Sequence, residues 1–408
     1  MKRDRDALLG GLGDPVLLGG ALLLACLGVG MIWSAGQVDL PSAVTGAWRR
    51  QLVWLCVSIV AFAGVTRIPM RWLEWATPWI YALSIVLLIA VLVVGTGPNT
   101  RSWLRLAGFS IQPAELAKLA TILLLARLLG SRREPQTRLF DLWQPVLVVV
   151  VPFLLVMAQP DLGSALVFVI ILVSALFWAG IPLFTIFLLV SPGVSLILGF
   201  SAAVWGVWFV VVIVALYVRR PFMAEAVAVA LANLATGALA TPLWNRLAPY
   251  QQRRLLVFLD PDIDPRGAGW HLIQSKVAIG SGGVTGQGFG NGPQKRLAFL
   301  PEQHTDFIFS VVGEELGLIG VLVFLALLAW FLRRVLRVAA ADSSQGYGSL
   351  IAFCFFAVWF GHLVINIGMT VGLMPVTGLP LPFISYGGSF LLTTFVGVGL
   401  VCRVAYES

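Results

Sequence analysis

Residues 144–180 read QPVLVVVVPFLLVMAQPDLGSALVFVIILVSALFWAG and carry one charged side chain, Asp161. Two apolar runs, 144–158 and 163–180, flank the polar turn Gln159-Pro160-Asp161-Leu162-Gly163. A bilayer-spanning helix takes about 20 residues, so the stretch reads as a hairpin of two membrane-crossing helices. Working outward, further apolar segments fall at 15–34, 51–66, 72–95 and 113–130 before it, and at 182–200, 202–218, 222–243, 306–332, 348–373 and 384–402 after it. The expected fold is an all-α polytopic membrane protein of about twelve transmembrane helices. It is one integral membrane domain over residues 1–408, with a large extracytoplasmic loop at 244–305 before span ten.

Composition agrees. Of the 408 residues 59% are hydrophobic and 11% charged, against roughly 45–50% and about 25% in soluble domains. A soluble globular enzyme is excluded, and so is disorder, which needs low hydrophobicity and high charge. Cys26, Cys56, Cys354 and Cys402 all lie in apolar runs, as small hydrophobes do. The net charge of +8 reports orientation in the membrane, with no nucleic-acid partner implied. Lys2, Arg3 and Arg5 precede the first span, which places the N-terminus in the cytoplasm. Alternation then puts Arg67 and Arg71, Arg132, Arg133 and Arg138, Arg219 and Arg220, Arg333, Arg334 and Arg337, and the C-terminal Arg403 on the same side.

The outer cations gather in places: Arg49 and Arg50 before span two, Arg101 and Arg105 in the 96–112 loop, and Arg246, Arg253, Arg254, Arg266, Lys276, Lys295 and Arg296 within 244–305. An anion held at the outer face would explain them; so would the indifference of long loops to charge during translocation. His271 to Ile279 is amphipathic and suits a helix lying on or dipping into the membrane. From Gly280 to Gly292 seven of thirteen residues are glycine, which lets backbone approach backbone or ligand. Tight turns are expected there, because no strand and no Lys-Ser/Thr ending make a phosphate loop.

Several polar residues fall where lipid should be. Span four opens Gln112-Pro113-Ala114-Glu115-Leu116-Ala117-Lys118, and Glu115 and Lys118, three apart, share a face. An ionised group at mid-membrane costs about 2.5–3.5 kcal/mol on insertion scales, so the pair should face a cavity or the bundle interior. Asp161 is either an N-cap of span six or part of that cavity. Glu302, His304 and Asp306 open span ten, with Glu314 and Glu315 deeper. His304 could shuttle protons, although a satisfied interfacial histidine is the simpler reading. The outer stretch Pro375 to Ser389 holds three prolines and the Gly387-Gly388 pair, and its hydroxyls, Ser385 among them, suit irregular backbone at membrane depth.

Together these stretches resemble the SEDS family of shape, elongation, division and sporulation proteins, typified by RodA and FtsW. The resemblance rests on Arg101 with Trp103, Gln112 to Lys118, Gln159 to Gly163, Asp260 to Gln274, Gly280 to Gly288, Leu300 to Phe309, Glu314 to Gly317 and Asn366 to Ser389, in family order. It implies a peptidoglycan glycosyltransferase of the bacterial cytoplasmic membrane that polymerises lipid II into a growing glycan strand at the outer face. A class B penicillin-binding protein would cross-link the product, and other elongation-complex membrane proteins would be partners. The family's outer-loop aspartate falls in Asp260-Pro261-Asp262-Ile263-Asp264-Pro265-Arg266-Gly267, where its Asp-Pro-x-Gly pattern selects Asp264. Leu259-Asp260-Pro261 and Asn366 to Met369 resemble the RodA branch, whereas Gln294-Lys295 has a division-branch flavour. The family usually has ten spans; here three fall between Ile181 and Leu243 where it usually has one. Ala114 stands where the family usually has serine.

The chemistry fits separately. Forming a glycosidic bond from a lipid diphosphate needs a base for the acceptor hydroxyl and cations for the leaving group. Asp264 is the expected base, with Arg266 beside it favouring the ionised carboxylate. Arg50, Arg101, Lys118, Arg254 and Lys276, or a divalent cation such as magnesium or manganese, could hold the diphosphate. Trp103, Glu115, Asp161, His304, Asp306 and Ser385 complete the expected substrate-binding set. A flippase for lipid-linked precursors would also suit intramembrane charge, and a non-catalytic scaffold would not need Asp264.

Overall fold

The computed structural model describes residues 14–38, 44–96, 102–106, 109–131, 138–247, 252–253, 256–258, 260, 263, 268–297, 299, 302–341 and 346–407. Among the described residues nine α-helices precede the long outer segment: α1 (Pro15–Ala35), α2 (Ala47–Val65), α3 (Met70–Val94), α4 (Pro113–Gly130), α5 (Trp143–Met157), α6 (Leu162–Trp178), α7 (Leu183–Leu198), α8 (Ala202–Arg219) and α9 (Met223–Arg246). Within and after it come α10 (Ala268–Ser281), the single turn α11 (Pro293–Arg296), α12 (Ile308–Ala341), α13 (Tyr347–Val371) and α14 (Gly388–Glu407).

The protein is thus an all-α polytopic membrane protein, with a described helix at each of the expected apolar segments. Among the described residues nine helices are long and apolar enough to cross a membrane, and α6 and α7 are shorter apolar helices. The remaining one, α4, carries Glu115, Lys118 and Arg127. Several helices outrun their apolar stretch: α2 begins at Ala47 and takes in Arg49 and Arg50, and α12 continues through Arg333, Arg334 and Arg337 to Ala341. Leaving hydrocarbon does not end a helix whose polar residues are good helix formers. One element was not foreseen: β1 (Leu104–Leu106) and β2 (Phe109–Ile111) pair antiparallel in the 96–112 loop, with Leu104 opposite Ile111. Thr96 and Trp103 extend that ribbon by exchanging backbone hydrogen bonds of 2.9 and 3.2 Å.

The central span carries a buried ion pair. α4 packs against α3, α6 and α13, and its fully buried Ala114, Ala117 and Ala120 let those neighbours approach closely. α14 lies along α2, and α12 lies between α13 and α1. The amphipathic stretch of the outer segment is α10, which dips against α12 and α13. Ser275, fully buried, fixes it there by donating to the Thr370 carbonyl at 2.6 Å and sharing a 2.7 Å hydrogen bond with Ser310.

The three helices that stand where the family usually has one form a satellite. α7, α8 and α9 share a small core of Leu188, Val212, Leu216 and Val229. Asn233 of α9, fully buried, joins Ser191 and Ser195 of α7 at 2.9 and 2.7 Å. At one end of the main bundle, Trp178 donates to Ser349 at 2.8 Å and Ser349 to the Ala339 carbonyl at 2.7 Å. α6 and α12 therefore finish at the same level.

Candidate active site

Asp264, Arg101 and Arg254 lie outside the described residues. Near them in sequence, a cavity of about 310 Å³ is lined by Arg253, Leu256, Val257 and Ile263, and Asp260 is exposed.

Gln112 and Pro113 start α4, so that Glu115 and Lys118 fall on its inward face in the first turns. The Lys118 ammonium lies 2.6 Å from Glu115 Oε1, and the two residues are 4% and 6% exposed. Asp161 is the N-cap of α6, accepting from the Ser164 amide at 3.0 Å. It also accepts from Gln112 Nε2 at 2.8 Å, which ties the starts of α4 and α6 together. One carboxylate thus both caps α6 and joins it to α4.

A residue the sequence did not single out stands nearby. His362 of α13 is fully buried, within electrostatic reach of Lys118. Its Nδ1 lies 2.9 Å from the Pro380 carbonyl. A carbonyl only accepts, so Nδ1 carries the proton and Nε2 is a bare acceptor; Nε2 has no hydrogen-bond partner among the described residues.

The loop between α13 and α14 connects these groups. Its Thr377 carbonyl packs on Gly163 of α6, and its Leu379 carbonyl accepts from Asn366 Nδ2 at 2.7 Å. Asn366 Nδ2 also donates to the Asp306 carbonyl at 2.9 Å. Gly378 (φ +74°) is the turn residue there; a Cβ would come 3.3 Å from Asp306 Oδ2. Phe383 takes a left-handed φ of +67°, buried against Phe331 at 4.9 Å between ring centroids. A bulky residue in that region is strained, so packing must hold it. Ser385 is buried and its hydroxyl is already used, accepting from the Leu381 amide at 2.8 Å and donating to the Thr305 carbonyl at 2.6 Å. Gln51 of α2 completes the bracing, donating to the Ser385 carbonyl at 3.3 Å and accepting from the Gly387 amide at 3.2 Å.

Tyr386 in this loop gathers two of the expected residues. The Arg50 guanidinium lies 5.8 Å from its ring centroid and the His304 ring 5.3 Å away. Burial is the main influence on His304, lowering its pKa from the ordinary 6.5; Glu302 opposes this and Arg50 adds to it. Lys276 of α10 is exposed and lies over the α13 C-terminus, where Gly372 (φ +81°) is the cap and a Cβ would come 2.6 Å from Lys276 Nζ. A cation there complements the helix dipole. Trp103 sits in the ribbon described above. Arg50 and Lys276 are therefore the exposed cations of the expected set among the described residues. No group of three or more His, Cys, Asp or Glu side chains among the described residues is arranged to hold a metal ion.

The glycine-rich stretch packs on protein backbone. Gly283, Gly286, Gly288 and Gly290 have positive φ, as tight turns demand. Gly286 abuts Gly317, where α12 breaks with φ +62° and ψ −168°. Across this kink Leu318 and Ile319 donate to the Gly283 and Val284 carbonyls at 2.9 and 3.1 Å, and Gln287 and Gly288 donate to those of Glu314 and Glu315 at 3.0 Å.

Beside the kink lies a second buried ionic cluster that sequence reading missed. Lys295 of α11 pairs with Glu315 of α12, and its Nζ donates to the Ser34 carbonyl and hydroxyl at 2.9 and 2.6 Å. The Ser34 hydroxyl reaches Glu315 at 2.6 Å, and Glu314 Oε1 accepts from the Gln294 amide at 2.7 Å. The Glu314-Glu315 pair was the available signal; its partners on α1 and α11 are too distant in sequence to be read.

The sequence matches the cell cycle protein family of FtsW, RodA and SpoVE over residues 16–209 and 198–408. It is 34% identical to the peptidoglycan glycosyltransferase RodA of Treponema pallidum (strain Nichols), an alignment covering 96% of this chain and 97% of that one. Identity to the peptidoglycan glycosyltransferase MrdB of Escherichia coli (strain K12) is also 34%, over 96% of this chain and 93% of the other. A solved structure described as the structural coordination of polymerization and crosslinking by a peptidoglycan synthase complex contains a similar chain. It has a TM-score of 0.69 and 29% identity, covering 97% of this chain and 98% of that one.

Proposed function

The chain belongs to the FtsW, RodA and SpoVE family of cell cycle proteins, and from that premise we propose that it is a peptidoglycan glycosyltransferase polymerising lipid II during cell elongation. The observation that carries this reading is similarity along nearly the whole chain to relatives named for that activity. The buried Glu115 and Lys118 pair on the central helix supports it, because a scaffold has no need to bury charge in the middle of its bundle.

In the proposed reaction Asp264 takes the proton from the acceptor sugar hydroxyl. The hydroxyl oxygen bonds to the anomeric carbon of the donor, the bond from that carbon to the diphosphate oxygen breaks, and the lipid diphosphate leaves with the electron pair. Arg50 and Lys276, exposed on the described surface, are suited to receive that negative charge, and Arg101 and Arg254 are further candidates. The Pro265 that follows Asp264 biases its backbone away from helix, favouring a carboxylate presented from a turn. Lys118 and Glu115 act together as a polar wall of the substrate site, and Asp161 holds the α4 and α6 ends in register.

The same reading makes the bacterial cytoplasmic membrane its location, with both termini cytoplasmic and residues 244–305 outside. It also gives the chain a transpeptidase partner of the penicillin-binding class, since the similar solved chain belongs to a complex that couples polymerization and crosslinking. The test is direct: purified protein, alone and with that partner, incubated with lipid II in detergent should yield glycan polymer. Flipping has no meaning without a bilayer, so a flippase or a scaffold would yield none.

A further inference from the structure

We propose that the satellite helices α7–α9 carry, at the end where α8 turns into α9, a binding site for the headgroup of an anionic phospholipid. Three arginines near that end each lie against an aromatic ring. The Arg138 guanidinium lies 5.4 Å from the ring centroid of Phe222, Arg219 lies 5.7 Å from that of Phe184, and Arg220 lies 6.0 Å from that of Tyr217. These six residues come from the approach to α5, the start of α7 and the α8–α9 turn, and the Arg138–Phe222 contact forms only because the satellite folds against the chain before α5. Leu139, next to Arg138, packs on the satellite core.

Among the described residues no acid pairs with these arginines. Elsewhere Arg334 pairs with Asp14 at 2.7 Å and Arg403 with Glu407 at 2.5 Å. Here Glu225 is buried and faces the Phe140 amide at 3.4 Å, and neither it nor Asp141 has an ion pair among the described residues. A guanidinium resting on a ring keeps N–H donors for a phosphate. The flanking surface says what carries that phosphate: Phe222, Tyr217 and Met223 are 66%, 75% and 78% exposed, and Val214 and Val218 continue the apolar face along α8. Cations at the rim of an apolar helix face suit a headgroup whose acyl chains lie along the helix. A free phosphate would have no use for that face.

The experiment uses the full-length protein in mixed micelles of phosphatidylglycerol and phosphatidylcholine, with retained lipids counted by native mass spectrometry. Wild type should retain phosphatidylglycerol preferentially, and millimolar inorganic phosphate should not displace it. Each arginine near an anionic headgroup contributes roughly five-fold, so the triple variant Arg138→Gln/Arg219→Gln/Arg220→Gln should lose ten-fold or more of the preference. The charge-matched control Arg67→Gln/Arg71→Gln/Arg337→Gln should keep it. If the triple variant fails to fold, Arg219→Gln alone should show a loss of about five-fold. Equal losses in both triple variants, no preference in wild type, or displacement by phosphate would each overturn the proposal.

Discussion

Lys118 holds its ammonium 2.6 Å from the Glu115 carboxylate, one turn earlier on the most central helix, with both side chains nearly sealed from solvent. Removing one member of a buried pair strands the other charge, at about 3–5 kcal/mol. Lys118→Met should therefore lose both turnover and thermal stability. Lys118→Met/Glu115→Gln should regain much of the stability, because no net charge remains buried, yet stay inactive if the pair faces substrate. Unfolding midpoints and polymer yield, measured on the same preparations, separate the two effects; a stable and active double variant would return the pair to a packing role.

The second buried pair should show the same pattern in stability. Lys295→Met leaves Glu315 uncompensated beside the α12 kink and should cost about 3–5 kcal/mol. Adding Glu315→Gln, which keeps a partner for the Ser34 hydroxyl, should recover most of that loss in a thermal melt.

His304 gives a pH dependence of defined sign. Its pKa is lowered below 6.5 in the folded protein, mainly by burial, so below that pH the unfolded chain binds more protons than the folded one. Stability should be fully present above about pH 6.5 and fall on acidification from there through the folded pKa. His304→Gln should flatten this part of the profile, read as unfolding midpoints between about pH 5 and 8.

The relation between sequence and structure follows from the range of each interaction. Apolar segments, the amphipathic α10 and the Glu115–Lys118 spacing are local patterns, readable within one or two turns, and each is found in place. The Asp161 cap was readable for the same reason, but its bond to Gln112 joins separate helices and was not. Ser34 meets Lys295 and Glu315 from 261 and 281 residues away, and a lone His362 in an apolar run carries no sign that Pro380 will fix its tautomer. The β1–β2 ribbon was missed because strands of three residues leave too short a period to detect.

Orientation is tested by labelling. With Cys26, Cys56, Cys354 and Cys402 replaced, Arg220→Cys should resist an impermeant thiol reagent applied to cells and Asp264→Cys should react. Strong external labelling at position 220 would contradict the twelve-span arrangement.

The central claim is that Asp264 removes the acceptor proton, and the most direct measurement is lipid II polymerisation by folded Asp264→Asn beside Asp260→Asn. General-base help is worth about 10²–10⁴-fold in rate, and asparagine keeps size while losing basicity. Asp264→Asn is expected to lose turnover by that order while still binding lipid II, with Asp260→Asn retaining activity. A folded Asp264→Asn protein that polymerises at near wild-type rate, with Asp260→Asn inactive instead, would contradict the assignment.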